Sequence, residues 1–415
     1  MKRIFILIIG FYSFTCFTVN SQWLPMNSGM GAGTIVHGFL FGSADIVWMY
    51  GSNYSGSTGF LKYSTDGGAT FTSQSYSSTS GVWGGYMANS STGWIVTRSG
   101  EIIKTTNAGG SWQLQVSGTS SELYDISFAD INTGWVSGMN GIILKTTNGG
   151  TNWIQQTAPA SVKILKIHPL SVNTVYTAGF LGNVFKTTNG GVNWQSLPGF
   201  TSDDIYGLNF VNENTGWVCG VPNIYRTTNG GMNWEQQTIP ALALYGMHFL
   251  NENTGWAAGS IPGVSGIISK TTNGGLDWQT QYTGSDWFFC LNFKNANTGY
   301  SAGFDGAYVK TTNGGDPLTS LDPPLNTPSE FALLGNYPNP FNPATNIKFA
   351  LPEAGKVIIR IYDIAGRLVE EPVNSEFSAG LHTLKFDGSK LASGVYFYRL
   401  TSSGHTAVKK MILTK

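Results

Sequence analysis

Short apolar runs broken by Asn- and Gly-rich turns recur along most of the chain, and within them apolar and polar positions alternate. A period of two is the signature of strands with one buried face. The unit beginning near residue 123 shows the pattern in full. Residues 123–128 are an apolar-rich strand, Asn132-Thr133-Gly134 turns the chain into Trp135-Val136-Ser137, residues 142–147 form a third strand, and Asn148-Gly149-Gly150 is a tight hairpin turn before Trp153 opens a fourth. Asn and Gly suit that turn because both accept positive φ at low cost. The phrase Lys/Arg-Thr-Thr-Asn-Gly-Gly starts at Lys104 (with Ala108 inserted), Lys145, Lys186, Arg226, Lys270 and Lys310, and a divergent copy starts at Lys62, so the spacing is 40 to 44 residues. Four short strands and their turns fill that length, which is one blade of a β-propeller. Seven copies predict seven blades. A large ring returns at the head of each fourth strand as Phe71, Trp112, Trp153, Trp194, Trp234 and Trp278, where it is placed to wedge between sheets.

The seventh unit stops at Asp316-Pro317 without a fourth strand, while Trp23-Leu24-Pro25-Met26-Asn27-Ser28-Gly29 resembles Trp112 to Gly118 at the fourth-strand position. The N-terminal segment is therefore expected to close the last blade and leave no open edge. Ahead of it, Lys2 and Arg3, the apolar run 4–12 and the small residues Val19 and Ser21 read as a signal peptide over residues 1–21, with the propeller over 22–315. No later apolar run spans a bilayer, so no transmembrane anchor is expected. Composition narrows the reading. With 23 basic and 23 acidic residues the net charge is zero, which argues against nucleic acid as a partner. Charged residues are 11%, aromatics 13%, and Gly numbers 54, as suits an all-β chain. Cys219 and Cys290 fall in blades that are not neighbours and are expected to be buried free thiols.

Four prolines in 316–330 mark an extended linker. Beyond it, 331–415 carries strand signals at 345–350, 356–363, 382–387 and 395–401, which predicts a small immunoglobulin-like β-sandwich. The whole chain is thus all-β, a seven-bladed propeller followed by that sandwich. Two resemblances add to this. Ser64, Asp66, Gly68, Thr70 and Phe71 match the Asp-box (BNR) repeat, with Asn at the Asp position in the other copies, and the array resembles propellers of the photosystem II assembly factor type. The phrase Tyr337-Pro338-Asn339-Pro340-Phe341-Asn342-Pro343, with Ile361 to Arg367, Leu391 to Tyr396 (including Gly394) and Lys409-Lys410-Met411, resembles a type A sorting domain of the type IX secretion system. That resemblance implies export through the periplasm by that machinery, with residues 331–415 as its recognition signal, and a destination outside a Gram-negative cell.

Catalytic signatures are missing from the motifs. Gly29-Met30-Gly31-Ala32-Gly33 lacks the last Gly of the dinucleotide fingerprint, and no Gly-x-Ser-x-Gly elbow is present. Asp-boxes also occur in sialidases, but those grip a carboxylate with an arginine cluster, and the mature propeller holds only Arg98 and Arg226. Asp125, Asp204 and Asp286 lie in or beside first strands, near the channel, with Asp203 and Glu122 close in sequence; a glycosidase would need two such carboxylates facing each other. His37, His168 and His248 also fall in first strands and read as ordinary strand histidines, so neither metal nor cofactor is expected. The turns that repeat, after first and third strands, share one face of the disk. The loops that vary share the other, and varied loops on a rigid scaffold are where recognition sits. Tyr54, Phe180, Phe200, Trp287, Phe304 and Asp305 are the candidate ligand-binding residues there. The leading reading is a secreted or surface binding protein for glycan or protein. A glycoside hydrolase or lyase using channel-side carboxylates, and a structural surface protein without a specific ligand, stand as alternatives.

Overall fold

The computed structural model describes residues 23–43, 45–241, 243–261, 265–316, 331–377 and 380–415, which form two compact units, 23–316 and 331–415. The expected signal peptide and all of the expected linker except Asp316 lie outside the described residues.

The first unit is built of seven antiparallel four-stranded sheets. The third shows the plan, running outward through Leu123–Phe128, Gly134–Gly138, Ile143–Thr146 and Ile154–Gln156. The first strands pack on one another around a closed circle, with Phe288–Phe293 of the seventh sheet against Thr34–Phe41 of the first. This is a β-propeller. In the seventh sheet, Phe288–Phe293, Gly299–Gly303 and Tyr308–Thr311 are completed by Leu24–Pro25, which pairs Leu24 with Lys310 and Pro25 with Val309. Second strands are buried throughout, because each lies between two other strands and two neighbouring sheets.

The repeated phrase is explained by its turn. Thr146 Oγ1 accepts the amides of Asn148 and Gly150 and donates to Asn148 Oδ1, which in turn accepts the Asn152 amide. Ser64 and Asp66 make the same set in the first blade, and Thr105, Thr187, Thr227, Thr271 and Thr311 repeat the threonine's part. The second glycine of each turn takes positive φ; Gly150 has φ +84°. The phrase's leading cation ties blades together. Lys104 lies over the Trp94 ring of its own blade and donates to the Gly149 carbonyl in the turn of the next, at 2.8 Å. Lys310 does the same from the last blade to Gly67 of the first, at 2.7 Å. Between blades, the second-strand ring stacks on a first-strand Phe of the next sheet. The centroids of Trp217 and Phe249 are 3.6 Å apart, and those of Trp256 and Phe293 3.8 Å. The fourth-strand Trp meets the same Phe edge-on, as Trp278 meets Phe249 and Trp23 meets Phe293.

The second unit has a three-stranded sheet (Ala332–Tyr337, Ala344–Leu351, Gly380–Asp387) and a four-stranded sheet (Leu368–Phe377, Gly355–Tyr362, Gly394–Ser402, His405–Leu413), which share one core that includes Phe341, Ile347, Phe349, Ile359, Tyr398 and Met411. Strand Leu368–Phe377 was not expected from sequence, because it is largely exposed and its Glu370-Glu371-Pro372 stretch hides the alternation. The sorting phrases are knitted together. Phe341 is buried and exchanges backbone hydrogen bonds with Ile412 and Thr414, Asn339 Oδ1 accepts the Ile412 amide, and Tyr396 donates to the Ala392 carbonyl. Pro338, Pro340, Asn342, Pro343, Lys409 and Lys410 are exposed.

Candidate binding site at the channel mouth

Every first strand of the propeller carries one bulge, where a single residue has no partner on the second strand. The bulged residues are His37, Trp83, Tyr124, Leu165, Tyr206, Tyr245 and Phe289. A bulge re-aims a side chain, and all seven of these line a cavity of about 510 Å³ in the middle of the ring. The residue after the bulge is Gly in four blades, and at Gly84 and Gly246 the next blade's first strand leaves no room for a side chain, while at Gly38 and Gly207 the second-strand side chains of Tyr50 and Cys219 fill the space. A Cβ on Gly246 would stand 2.6 Å from the Leu291 amide nitrogen, and one on Gly84 would stand 2.7 Å from Asp125 Cα.

Six of the seven bulged residues are aromatic, counting His37, and they touch in sequence. Centroid distances run 5.2 Å from Tyr206 to Tyr245, 5.4 Å to Phe289, 5.1 Å to His37, 4.4 Å to Trp83 and 5.6 Å to Tyr124. The collar is broken at Leu165. Rings on the variable loops extend it upward, with Phe180 6.4 Å from Tyr206 and Phe304 6.0 Å from Phe289.

The candidates read from sequence therefore divide. Tyr54, Trp287, Phe304 and Asp305 form one group where the first and seventh blades meet. Tyr54 and Trp287 each lie 6.0 Å from Phe304, and Asp305 Oδ1 accepts the Tyr54 hydroxyl at 2.5 Å and the Gly33 amide at 2.7 Å. Tyr54 and Phe180 line the cavity itself. Phe200 stands apart, packed 4.9 Å from both Tyr225 and Trp234 between blades. Sequence reasoning missed the collar. The available signal was the large ring one place ahead of Gly38, Gly84, Gly207 and Gly246.

The charged groups fall around the gap in the collar. Arg98 Nε donates to Glu122 Oε1 at 2.8 Å, Arg98 Nη1 donates to the Ser55 carbonyl, and the Tyr124 hydroxyl donates to Glu122 Oε2 at 2.7 Å. Those donors outweigh burial and hold the Glu122 carboxyl below its ordinary range. Lys163 lies over the Phe180 ring, 4.8 Å from its centroid. Lys166 lines the cavity, and its charge is felt by Asp125, His37, Cys219 and Cys290 on four different blades. Neither lysine makes a hydrogen bond or ion pair among the described residues.

Of the three carboxylates considered for hydrolysis, only Asp125 lines the cavity. Burial raises its pKa, and its oxygens accept the amides of Ile126 at 3.1 Å and Ile167 at 3.0 Å, bridging two blades. Asp204 accepts the Leu181 amide, and Asp286 accepts the Ser285 hydroxyl. The histidines are held by protein partners. His37 Nε2 is 2.9 Å from Ser52 Oγ, and His168 Nε2 donates to the Phe210 carbonyl at 2.8 Å. Burial first, then Lys166, lowers the His37 pKa to about 3; burial, then His168, lowers that of His248 to about 4. Cys219 and Cys290 are free, buried thiols, pushed up to about 12 by burial.

The architecture and the turns define a β-propeller of BNR-type repeats joined to a sorting domain. Residues 108–202 match the family model of the photosynthesis system II assembly factor YCF48, and residues 336–414 match that of the secretion system C-terminal sorting domain. Such a sorting domain belongs to the type IX secretion route, so the protein is secreted or displayed at the cell surface. Among solved structures, YCF48 bound to D1 peptide superposes with a TM-score of 0.58 at 17% identity, covering 70% of this chain and 95% of that one. YCF48 from Cyanidioschyzon merolae gives 0.55 at 15% identity, covering 70% and 98%. The extracellular domain of a putative one-component system from B. thetaiotaomicron gives 0.57 at 14%, covering 94% and 57%. At these identities the likeness is one of fold. No curated protein matches the chain. Among the described residues, no helix is long and apolar enough to cross a membrane.

Proposed function

We propose that the propeller is a binding module, carried outside the cell by its sorting domain, which holds a glycan or protein ligand at the channel mouth on its variable-loop face. The observation that carries this reading is the run of ring contacts from Tyr206 through Phe289 to Tyr124, extended at the rim by Phe180 and Phe304. Aromatic faces gathered round one opening offer broad contact area at little entropic cost on binding. The peptide on the YCF48 propeller is a precedent for ligand binding by this fold. Hydrolysis has less support, because Glu122 is ion-paired and Asp125 bridges two strands.

The test is binding of the purified protein to a panel of polysaccharides and surface proteins, with cleavage read in the same samples. Tyr206→Ala with Tyr245→Ala is expected to lower affinity for the retained ligand by about tenfold or more, with the unfolding temperature nearly unchanged. Retention unaffected by that pair of changes moves the site elsewhere. New reducing ends instead of retention favour the hydrolase.

A further inference from the structure

The lining of the channel mouth is unbalanced in a way that bears on its ligand. Its carboxylates are engaged by the protein. Glu122 takes Arg98 and Tyr124, Asp125 takes two backbone amides, and Asp305 takes Tyr54 and Gly33. Beyond Arg98, Tyr54 and Tyr124, several of its donors are not engaged. The ammonium groups of Lys163 and Lys166 have no hydrogen bond or ion pair among the described residues. The hydroxyls of Tyr206 and Tyr245 have no hydrogen-bond partner there, and the buried Trp83 indole N–H has no acceptor in the protein. Both lysines flank Leu165, the one break in the aromatic collar. A cation in a partly enclosed, aromatic-lined space asks for a counter-charge.

On the binding-module reading, we infer that the mouth takes a carboxylate-bearing sugar, a uronic acid unit of an acidic glycan, with its ring face on the collar and its carboxylate at Lys163 and Lys166. Two features select sugar over peptide. A pyranose offers flat C–H faces to a collar of rings, while its many oxygens accept from the idle phenol and ammonium donors. An extended peptide brings an N–H donor at every residue, and the mouth has few unengaged side-chain acceptors for them. The charge distribution selects an acidic sugar over a neutral one, because neither lysine has an ion pair among the described residues and the carboxylates that feel their charge, Glu122 and Asp125, are already held by Arg98, Tyr124 and backbone amides.

The test compares oligosaccharides of galacturonate, guluronate and glucuronate with their methyl esters, and with an acidic peptide, for binding to the full purified protein. At least one uronate is expected to bind about tenfold or more tighter than its own ester, the size of a charge-assisted contact, and to weaken as salt rises. Lys163→Gln with Lys166→Gln should bring acid and ester to equal affinity, while Lys163→Arg with Lys166→Arg keeps the difference. The comparison of acid with ester needs no variant, so it decides even where the double change disturbs folding. Equal binding of acid and ester overturns the charge assignment and leaves the binding module standing. Binding of the peptide alone overturns the sugar assignment and leaves the module standing as well. No binding of any probe overturns the sugar assignment, while retention of other ligands on the broader panel still decides the module reading.

Discussion

His37 sits in the aromatic collar between Trp83 and Phe289, and its surroundings fix its charge. Burial and the nearby Lys166 keep it neutral down to about pH 3, and burial does the same for His248 to about pH 4; His168 is also lowered by burial, although its bond to the Phe210 carbonyl opposes the shift. In the unfolded chain each would take a proton near its ordinary pKa of about 6.5. A folded pKa below the unfolded one means that the stabilisation is complete above about pH 6.5. It declines as the pH falls from there toward the folded values, at up to about 1.4 kcal/mol per pH unit for each histidine. The unfolding temperature should therefore fall between pH 6.5 and 5, above the carboxylate range, and His37→Gln should flatten part of that slope. A level unfolding temperature across that window contradicts the buried neutral state. At this scale the sequence was only partly readable. His37 was visible as a strand residue, but a bulge shifts the alternation by one place, so the period of two could not say which side chains turn into the channel.

The repeating elements were readable because local chemistry dictates them. Asn-Gly-Gly is the backbone requirement of the turn, the preceding Thr feeds its amides, and the Lys reaches the next blade's turn, so the phrase recurs wherever a blade does. The fourth strand of the last blade was also legible, because Trp23 carries the same ring as Trp278. Trp23 is buried, lies edge-on to Phe293 at 5.7 Å, and donates through Nε1 to Gln281, 258 residues away, at 3.2 Å. Trp23→Ala should cost about 3–5 kcal/mol, as for other large aromatic truncations in a core, measured by denaturant unfolding of the purified protein. A loss under about 1 kcal/mol would show that Leu24–Pro25 is not what closes the ring. The sorting domain was legible for a different reason. Its phrases are short and consecutive, and the structure brings Asn339 and Phe341 against Ile412 of the final strand and Thr414 just beyond it.

At the scale of the whole molecule, the two units divide the work. The second carries the export signal, and the first carries the channel mouth. Removing residues 331–415 should leave the propeller in the periplasm, as read by fractionation; its undiminished appearance outside the cell contradicts the assignment of the signal. The pairing of Leu24 with Lys310 also joins the two ends of the repeat array. The N-terminal strand Leu24–Pro25 finds its partner, Tyr308–Thr311, at the far end of the repeat array. Local hairpins can form blade by blade, whereas the contact that spans the array carries the largest loop-closure cost. Until that pairing forms, the ring keeps a seam in its seventh blade, so a chain cut short before Tyr308 should keep that seam open.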